Sequence, residues 1–145
     1  MIHNMLSIKI KNKASTKVEH LYKDVWKTAN QEYFGKQINW STTKKIVEAY
    51  DKKNLVGVIE LHMQVGVMYI FELAVAYSHQ KQGIGRMLIE KAEELARKEK
   101  MHKIHLDTGK TWGTAKFYEK MGFTKTGEFP KHFAGQDYLQ YSKFL

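Results

Sequence analysis

Apolar residues recur along this chain at two spacings, two residues and three to four residues, and the alternation between them predicts its elements. Leu6, Ile8 and Ile10 alternate with polar residues, which predicts a first strand ending at Lys11 to Lys13. Ser15 or Thr16 can then cap a helix. In it Val18, Leu21, Tyr22, Val25, Trp26 and Ala29 return at helical spacing and form one apolar face, with the end expected near Asn30. The aromatic segment from Gln31 to Thr43, with Gly35 at its centre, reads as a short second helix plus a loop. Lys45 to Tyr50 and Leu55 to Met63 are strand-like runs joined by Asp51-Lys52-Lys53-Asn54, good turn chemistry for a hairpin. A second turn, Gln64-Val65-Gly66, leads into the β-branched and aromatic strand that starts at Val67.

That strand gives way to a polar turn closing on Gly83-Ile84-Gly85, and an amphipathic helix follows at once and runs to Lys100. Ile104 to Thr108 reads as the next strand. Two strands bridged by a helix of this length favour parallel pairing with a right-handed crossover. A further helix fits Trp112 to Met121 and stops at Gly122; strands at Phe123 to Glu128 and Tyr138 to Phe144 close the chain. The expected architecture is α/β (mixed α+β). A central mixed sheet of about six to seven strands is antiparallel early and parallel at its centre, with helices on both faces.

Composition narrows the class. At 145 residues the chain suits one domain spanning 1–145, and 43% hydrophobic with 27% charged residues describes a folded chain. The absence of cysteine excludes disulfides, thiolate metal sites and a cysteine nucleophile, and no metal site is expected. No apolar run is long enough to span a membrane and the start of the chain does not read as a signal peptide, so the cytoplasm is the expected location and no membrane partner is expected. The net charge is +9, yet Arg86 and Arg97 are the only arginines. Bidentate contacts to phosphates and base edges lean on arginine, so nucleic acid is not expected as a partner, although a Lys-rich surface allows one.

The glycine turn carries the first chemistry. A helix start leaves about four backbone N–H groups without partners and concentrates roughly half a positive charge, so a phosphate there satisfies both. Two familiar phosphate folds do not fit. A dinucleotide-binding turn would follow the first strand and needs a third glycine where Leu88 stands. A Walker loop ending at Gly109-Lys110-Thr111 would need glycine at Ile104.

Gln80-Lys81-Gln82-Gly83-Ile84-Gly85 fits the pattern Q/R-x-x-G-x-G/A between a strand and a helix. With Phe117-Tyr118-Glu119-Lys120-Met121-Gly122-Phe123 downstream, the chain resembles the GNAT superfamily of acyl-CoA-dependent N-acyltransferases, in element order over nearly its whole length. The resemblance implies acetyl-CoA as the cofactor. Its pyrophosphate would lie on the backbone of Gln80, Lys81, Gln82, Gly83, Ile84, Gly85 and Arg86, with Lys81 and Arg86 able to add charge. Its pantetheine arm would pair with exposed backbone at Leu73, Ala74 and Val75, where two parallel strands splay apart. Tyr118 would protonate, or hydrogen-bond to, the departing thiolate, and Lys120 would reach the phosphates. Where the family often carries Asn against the pantetheine arm, this chain has Thr111, and Trp112 beside it implies a locally rebuilt edge.

The acceptor half is written less clearly. A nitrogen must lose a proton to attack, so a base or a water chain is needed. Glu72 is the obvious carboxylate, but strict alternation turns it away from the face of Tyr69 and Phe71, where relatives place a base, unless a bulge re-aims it. Asp107, the histidines His62, His79 and His105, and a relay through Tyr69 are further candidates. Trp26, Tyr33, Phe34, Trp40, His132 and Phe133 are where an acceptor pocket would be sought, core packing being the competing role for each. The leading expectation is therefore an N-acetyltransferase acting on a small-molecule or peptide primary amine, with a homodimer left open. The alternative is a non-enzymatic acyl-CoA-binding module that contacts nucleic acid or protein through its lysines.

Overall fold

A computed structural model describes residues 6–145. The elements, in order, are α1 (Thr16–Phe34), β1 (Thr43–Asp51), β2 (Asn54–Gln64), β3 (Val67–Val75), α2 (Ile84–Lys98), β4 (Lys103–Gly109), α3 (Thr114–Lys120), β5 (Thr124–Phe129) and β6 (Tyr138–Phe144). Residues up to Asn39 form one compact unit and Trp40–Leu145 a second.

In the first unit, the Ser15 side chain caps α1 by accepting a hydrogen bond from the Val18 N–H at 3.4 Å, and Gly35 ends the helix in the left-handed region at φ 66°. The helix runs past Asn30, so the short second helix expected after Gln31 does not form. Tyr33 and Phe34 make the last turn of α1 instead. No glycine or proline lies between Asn30 and Gly35, and a nucleated helix keeps extending until something stops it. The strand expected at Leu6–Ile10 is also absent, with Ile8 and Ile10 97% and 94% exposed. Alternation alone supplies no ladder partner. One helix cannot bury its own stripe, and Leu21, Tyr22, Val25 and Trp26 remain exposed.

The second unit is a six-stranded mixed sheet in the order β1-β2-β3-β4-β6-β5. Its first hairpin pairs Asp51 with Asn54 across Lys52-Lys53, as the turn chemistry predicts. The second pairs Gln64 with Val67 across Val65 and Gly66, which have φ of 47° and 80°. Positive φ at both central residues is the hand that matches strand twist in a two-residue loop.

One face of the sheet buries Ile59, Leu61 and Met63 of β2, Met68 and Ile70 of β3, and Ile104 and Leu106 of β4. Onto it α2 packs Leu88, Ile89, Ala92 and Ala96, a 3.6-period face, while α3 adds Tyr118. Leu88 and Ile89, both almost fully buried, each contribute about 2 kcal/mol of hydrophobic stabilisation. The helix sits close to β2 because Gly57 has no side chain: a Cβ there would lie 2.8 Å from Ile84 Cγ2. β4 runs parallel to β3 as expected, but only Val67, Met68 and Tyr69 pair with it, opposite Lys103, Ile104 and His105. Beyond that point the strands part, and β4 continues along β6 as far as Gly109 opposite Tyr138.

The second hairpin forces a β-branched residue into the left-handed region. Replacing Val65 with Asn, which tolerates that region, is expected to stabilise the protein by about 1 kcal/mol. A chemical denaturation midpoint that does not rise would contradict this reading of the turn.

Candidate active site

Where β3 and β4 part, a cleft of about 690 Å³ opens. It is lined by Leu73 and Val75 of β3, by His79, Gln80, Lys81, Gly83, Ile84 and Gly85 of the turn into α2, and by Trp112, Gly113, Thr114, Phe117 and Tyr118 around α3. The turn is held by its own side chains. Gln80 Nε2 donates to the Val75 carbonyl at 3.1 Å, Gln82 Nε2 to the Ser78 carbonyl at 3.3 Å, and His79 Nε2 meets Asp51 Oδ2 at 3.2 Å. Lys81 (φ 60°) and Gly83 (φ 86°) are left-handed while Gln82 between them is not, an alternation of hand that turns successive N–H groups toward one side. No side chain caps α2 at Gly83. An anion is the chemical complement of such a helix start.

At the inner end, Tyr118 is buried, with only 9% of its surface exposed. Burial, and secondarily the charge of Glu72, push its phenol up to about 12. It is a hydroxyl donor at any physiological pH.

The register of β2 with β3 shifts between Glu60 and Leu61: Glu60 pairs with Glu72 and Leu61 with Ile70, so Phe71 is an extra residue. Packing follows the shift. Met68 and Ile70 face the core, then Leu73 and Val75, leaving two consecutive residues, Phe71 and Glu72, off the core face. Strict alternation would have turned Glu72 away from Tyr69; the bulge returns it to that side. The same face carries Glu60 and His62 of β2 and His105 and Asp107 of β4, since their neighbours Ile59, Leu61, Ile104 and Leu106 are core.

These residues form a connected group. His62 Nε2 meets Glu60 Oε1 at 2.6 Å, and the Phe71 ring stacks on His62 with centroids 4.6 Å apart. The Tyr69 ring stacks on His105 at 4.7 Å, and its hydroxyl donates to Asp107 Oδ2 at 3.3 Å. Burial raises the Tyr69 phenol first, helped by the charges of Asp107 and Glu72. His105 is lowered, mainly by burial with a smaller push from Lys103 and against the pull of Asp107, so it is neutral at neutral pH. His105 Nδ1 and Asp107 Oδ1 are buried without a hydrogen-bond partner.

Of the residues singled out in the sequence, Leu73, Val75, Gln80, Lys81, Gly83, Ile84, Gly85 and Tyr118 line the cleft. Glu72, Ala74, Gln82, Arg86, Thr111 and Lys120 do not; Arg86 Nε donates instead to Glu90 at 3.1 Å on α2. Trp26, Tyr33 and Phe34 lie on α1 in the first unit. His132 stacks on Phe129 at 5.1 Å, lies tilted against Phe133 at 4.2 Å, and packs edge-on to Tyr138 at 5.5 Å. That ring cluster reaches the cleft through Trp112, 5.2 Å from Tyr138. Sequence reasoning did not place Gly113, Thr114 and Phe117 in the cleft, and it named His79 only as a candidate base and Trp112 only as a rebuilt edge. Trp112 occupies the space a Gly109 side chain would fill, 2.3 Å from such a Cβ, and only the bare glycine beside it could have signalled that.

The family model described as "Acetyltransferase (GNAT) family" matches residues 15–123. A spermidine N(1)-acetyltransferase of Vibrio cholerae is 28% identical over 110 residues, which cover 71% of this chain; the chain spans 62% of that relative's length, less than two thirds. Among solved structures, an acetyltransferase from Bacillus cereus matches with a TM-score of 0.73 at 19% identity, over 94% of this chain and 98% of its own. An acetyltransferase from Bacillus subtilis, solved in complex with CoA, matches with a TM-score of 0.66 at 22% identity over 94% and 97%. At these identities the likeness is one of fold. No helix among the described residues is long and apolar enough to cross a membrane.

Tyr118 should be the last of the tyrosines to ionise. Alkaline absorbance titration is expected to lose a transition near pH 12 in Tyr118→Phe. Because the folded value lies above the ordinary phenol value of about 10, the native state holds this proton longer than the unfolded chain. Its contribution to stability is complete below about pH 10 and fades as the pH rises toward 12. An unchanged titration would overturn the burial assigned to this phenol.

Proposed function

The chain belongs to the GNAT acetyltransferase family, and on that premise we propose that it moves an acetyl group from acetyl-CoA to a primary amine by direct attack, with Glu72 as base and Tyr118 as donor to the leaving sulfur. The observation that carries this reading is the parting of β3 and β4 over a cleft lined by buried Tyr118, with Glu72, outside the lining itself, near enough for its charge to raise the Tyr118 phenol. A lysine-mediated binding role without chemistry has no comparable observation in its favour.

The residues present suit the substrate. Backbone from Gln80 to Arg86 would hold the pyrophosphate on the uncapped start of α2; backbone, more than the Arg86 side chain, does this, since that side chain is engaged by Glu90. The edge of β3 that faces β4 lacks ladder partners beyond Tyr69, so Leu73, Ala74 and Val75 would pair with the amides of the pantetheine arm. Thr111 and Lys120, outside the cleft lining, are assigned at most an outer contact with that substrate. Bound there, acetyl-CoA supplies an activated thioester.

Glu72 then accepts the proton that the attacking nitrogen loses as the N–C bond forms. As the C–S bond breaks, the electron pair stays on sulfur and the Tyr118 hydroxyl hydrogen-bonds to it. Full proton transfer from Tyr118 is the weaker alternative. A phenol held near 12 is a poorer acid than an alkyl thiol, whose ordinary value is about 8.5, so the proton stays on oxygen and the stabilisation is electrostatic. That the relative from Vibrio cholerae is a spermidine acetyltransferase supports an amine as acceptor.

Tyr118→Phe is expected to lower kcat on the order of a hundredfold while leaving acetyl-CoA affinity, measured by calorimetry, largely intact. Glu72→Gln should lower kcat similarly, again with acetyl-CoA affinity largely intact. Full turnover in the first variant would remove Tyr118 from the mechanism, and full turnover in the second would do the same for Glu72.

A further inference from the structure

We propose that Glu60 is a specificity residue and that the acceptor carries two ammonium groups on a short alkyl chain, a diamine or polyamine; this rests on the acetyl-transfer reading above. Glu60 and Glu72 are direct cross-strand partners on one face, which puts their Cβ atoms about 5 Å apart. Like charges directly opposite are destabilising, and alternation would have spared the sheet this pair. The extra residue Phe71 creates it.

The pair is only partly neutralised by the protein. His62 engages Oε1 of Glu60, while Glu72 has no ion-pair or hydrogen-bond partner among the described residues. The next cation along the row is Lys44 on β1, whose register partner is His62 and not either glutamate. In a chain of net charge +9, this spot concentrates anionic charge beside the place where an amine has to react.

A second observation lies across the parting of the strands. Asp107 Oδ1 is buried with no hydrogen-bond partner, although its other oxygen takes the Tyr69 hydroxyl. An unsatisfied buried carboxylate oxygen is a costly group to leave alone, and it adds to the anionic character of this face. Next to Glu72 on the same face stands the half-exposed Phe71 ring, stacked on His62 and edge-on to Tyr69. Its remaining surface suits methylene groups and the edge of an ammonium.

The parts define the ligand. The reacting nitrogen sits at Glu72, within reach of Tyr118's end of the cleft, and the second ammonium sits at Glu60, one strand away. Neighbouring strands lie about 4.8 Å apart, the span of about three or four methylene groups between two nitrogens. A monoamine would leave Glu60 with His62 as its one partner among the described residues.

The test compares kcat/KM for 1,3-diaminopropane and 1,4-diaminobutane with those for propylamine and butylamine, in wild type and in Glu60→Gln. Wild type is expected to favour the diamines by about tenfold or more, and E60Q to bring the ratio close to that set by intrinsic reactivity. The preference should also shrink as salt is raised. Acetyl-CoA affinity in E60Q reports whether the variant is folded. Wild-type turnover of monoamines and diamines alike, or a ratio that survives E60Q, overturns this inference and leaves the transferase reading standing. Absence of turnover with every amine, in protein that still binds acetyl-CoA, overturns the transferase reading and this inference with it.

Discussion

Three residue pairs hold the parallel strands β3 and β4 together, and the loss of their ladder beyond Tyr69 and His105 is the constraint on which the rest of the structure depends. Had the ladder continued, the backbone of Leu73 to Val75 would be satisfied within the sheet and the cleft would be closed. Two features keep it open. β4 is committed to β6 over its whole length, and β3 to β2, so each strand stays ordered without the other. The cleft is thus a gap in a sheet whose other seams are intact, and it exposes backbone without loosening the fold.

The bulge at Phe71 lies where the strands part, and it couples backbone geometry to electrostatics. By adding one residue to β3 it leaves Leu73 and Val75 facing the core while setting Phe71 and Glu72 together on the other face. Glu72 then raises both Tyr118 and Tyr69, two phenols reached from different elements. Burial remains the larger cause for each. A carboxylate that influences a hydroxyl donor without being bonded to it is suited to taking a proton on one side of a reacting centre while the donor acts on the other.

Much of the sheet was legible in the chain because hairpins are local. Turn chemistry at Asp51 to Asn54 and the Val65-Gly66 pair fix register over a few residues, and the glycine turn before α2 has a steric signature that survives without context. The edges failed where a pattern had no partner to act on. Leu6, Ile8 and Ile10 alternate correctly and form no strand, and α1 extends through Phe34 because nothing before Gly35 stops it.

By itself, the sequence determined the order of elements from β1 onward, the uncapped glycine turn at the start of α2 and the tyrosine of α3, since each follows from spacing within a short window. The tertiary structure alone decided which way Glu72 points, its confrontation with Glu60, the buried and unpartnered oxygen of Asp107, and the seat of Trp112 over Gly109. Packing between parts of the chain decides the last two, and the first two share one physical reason. A bulge is the outcome of pairing between strands, and neither its place nor the face it hands to a side chain is encoded in the residues of one strand alone.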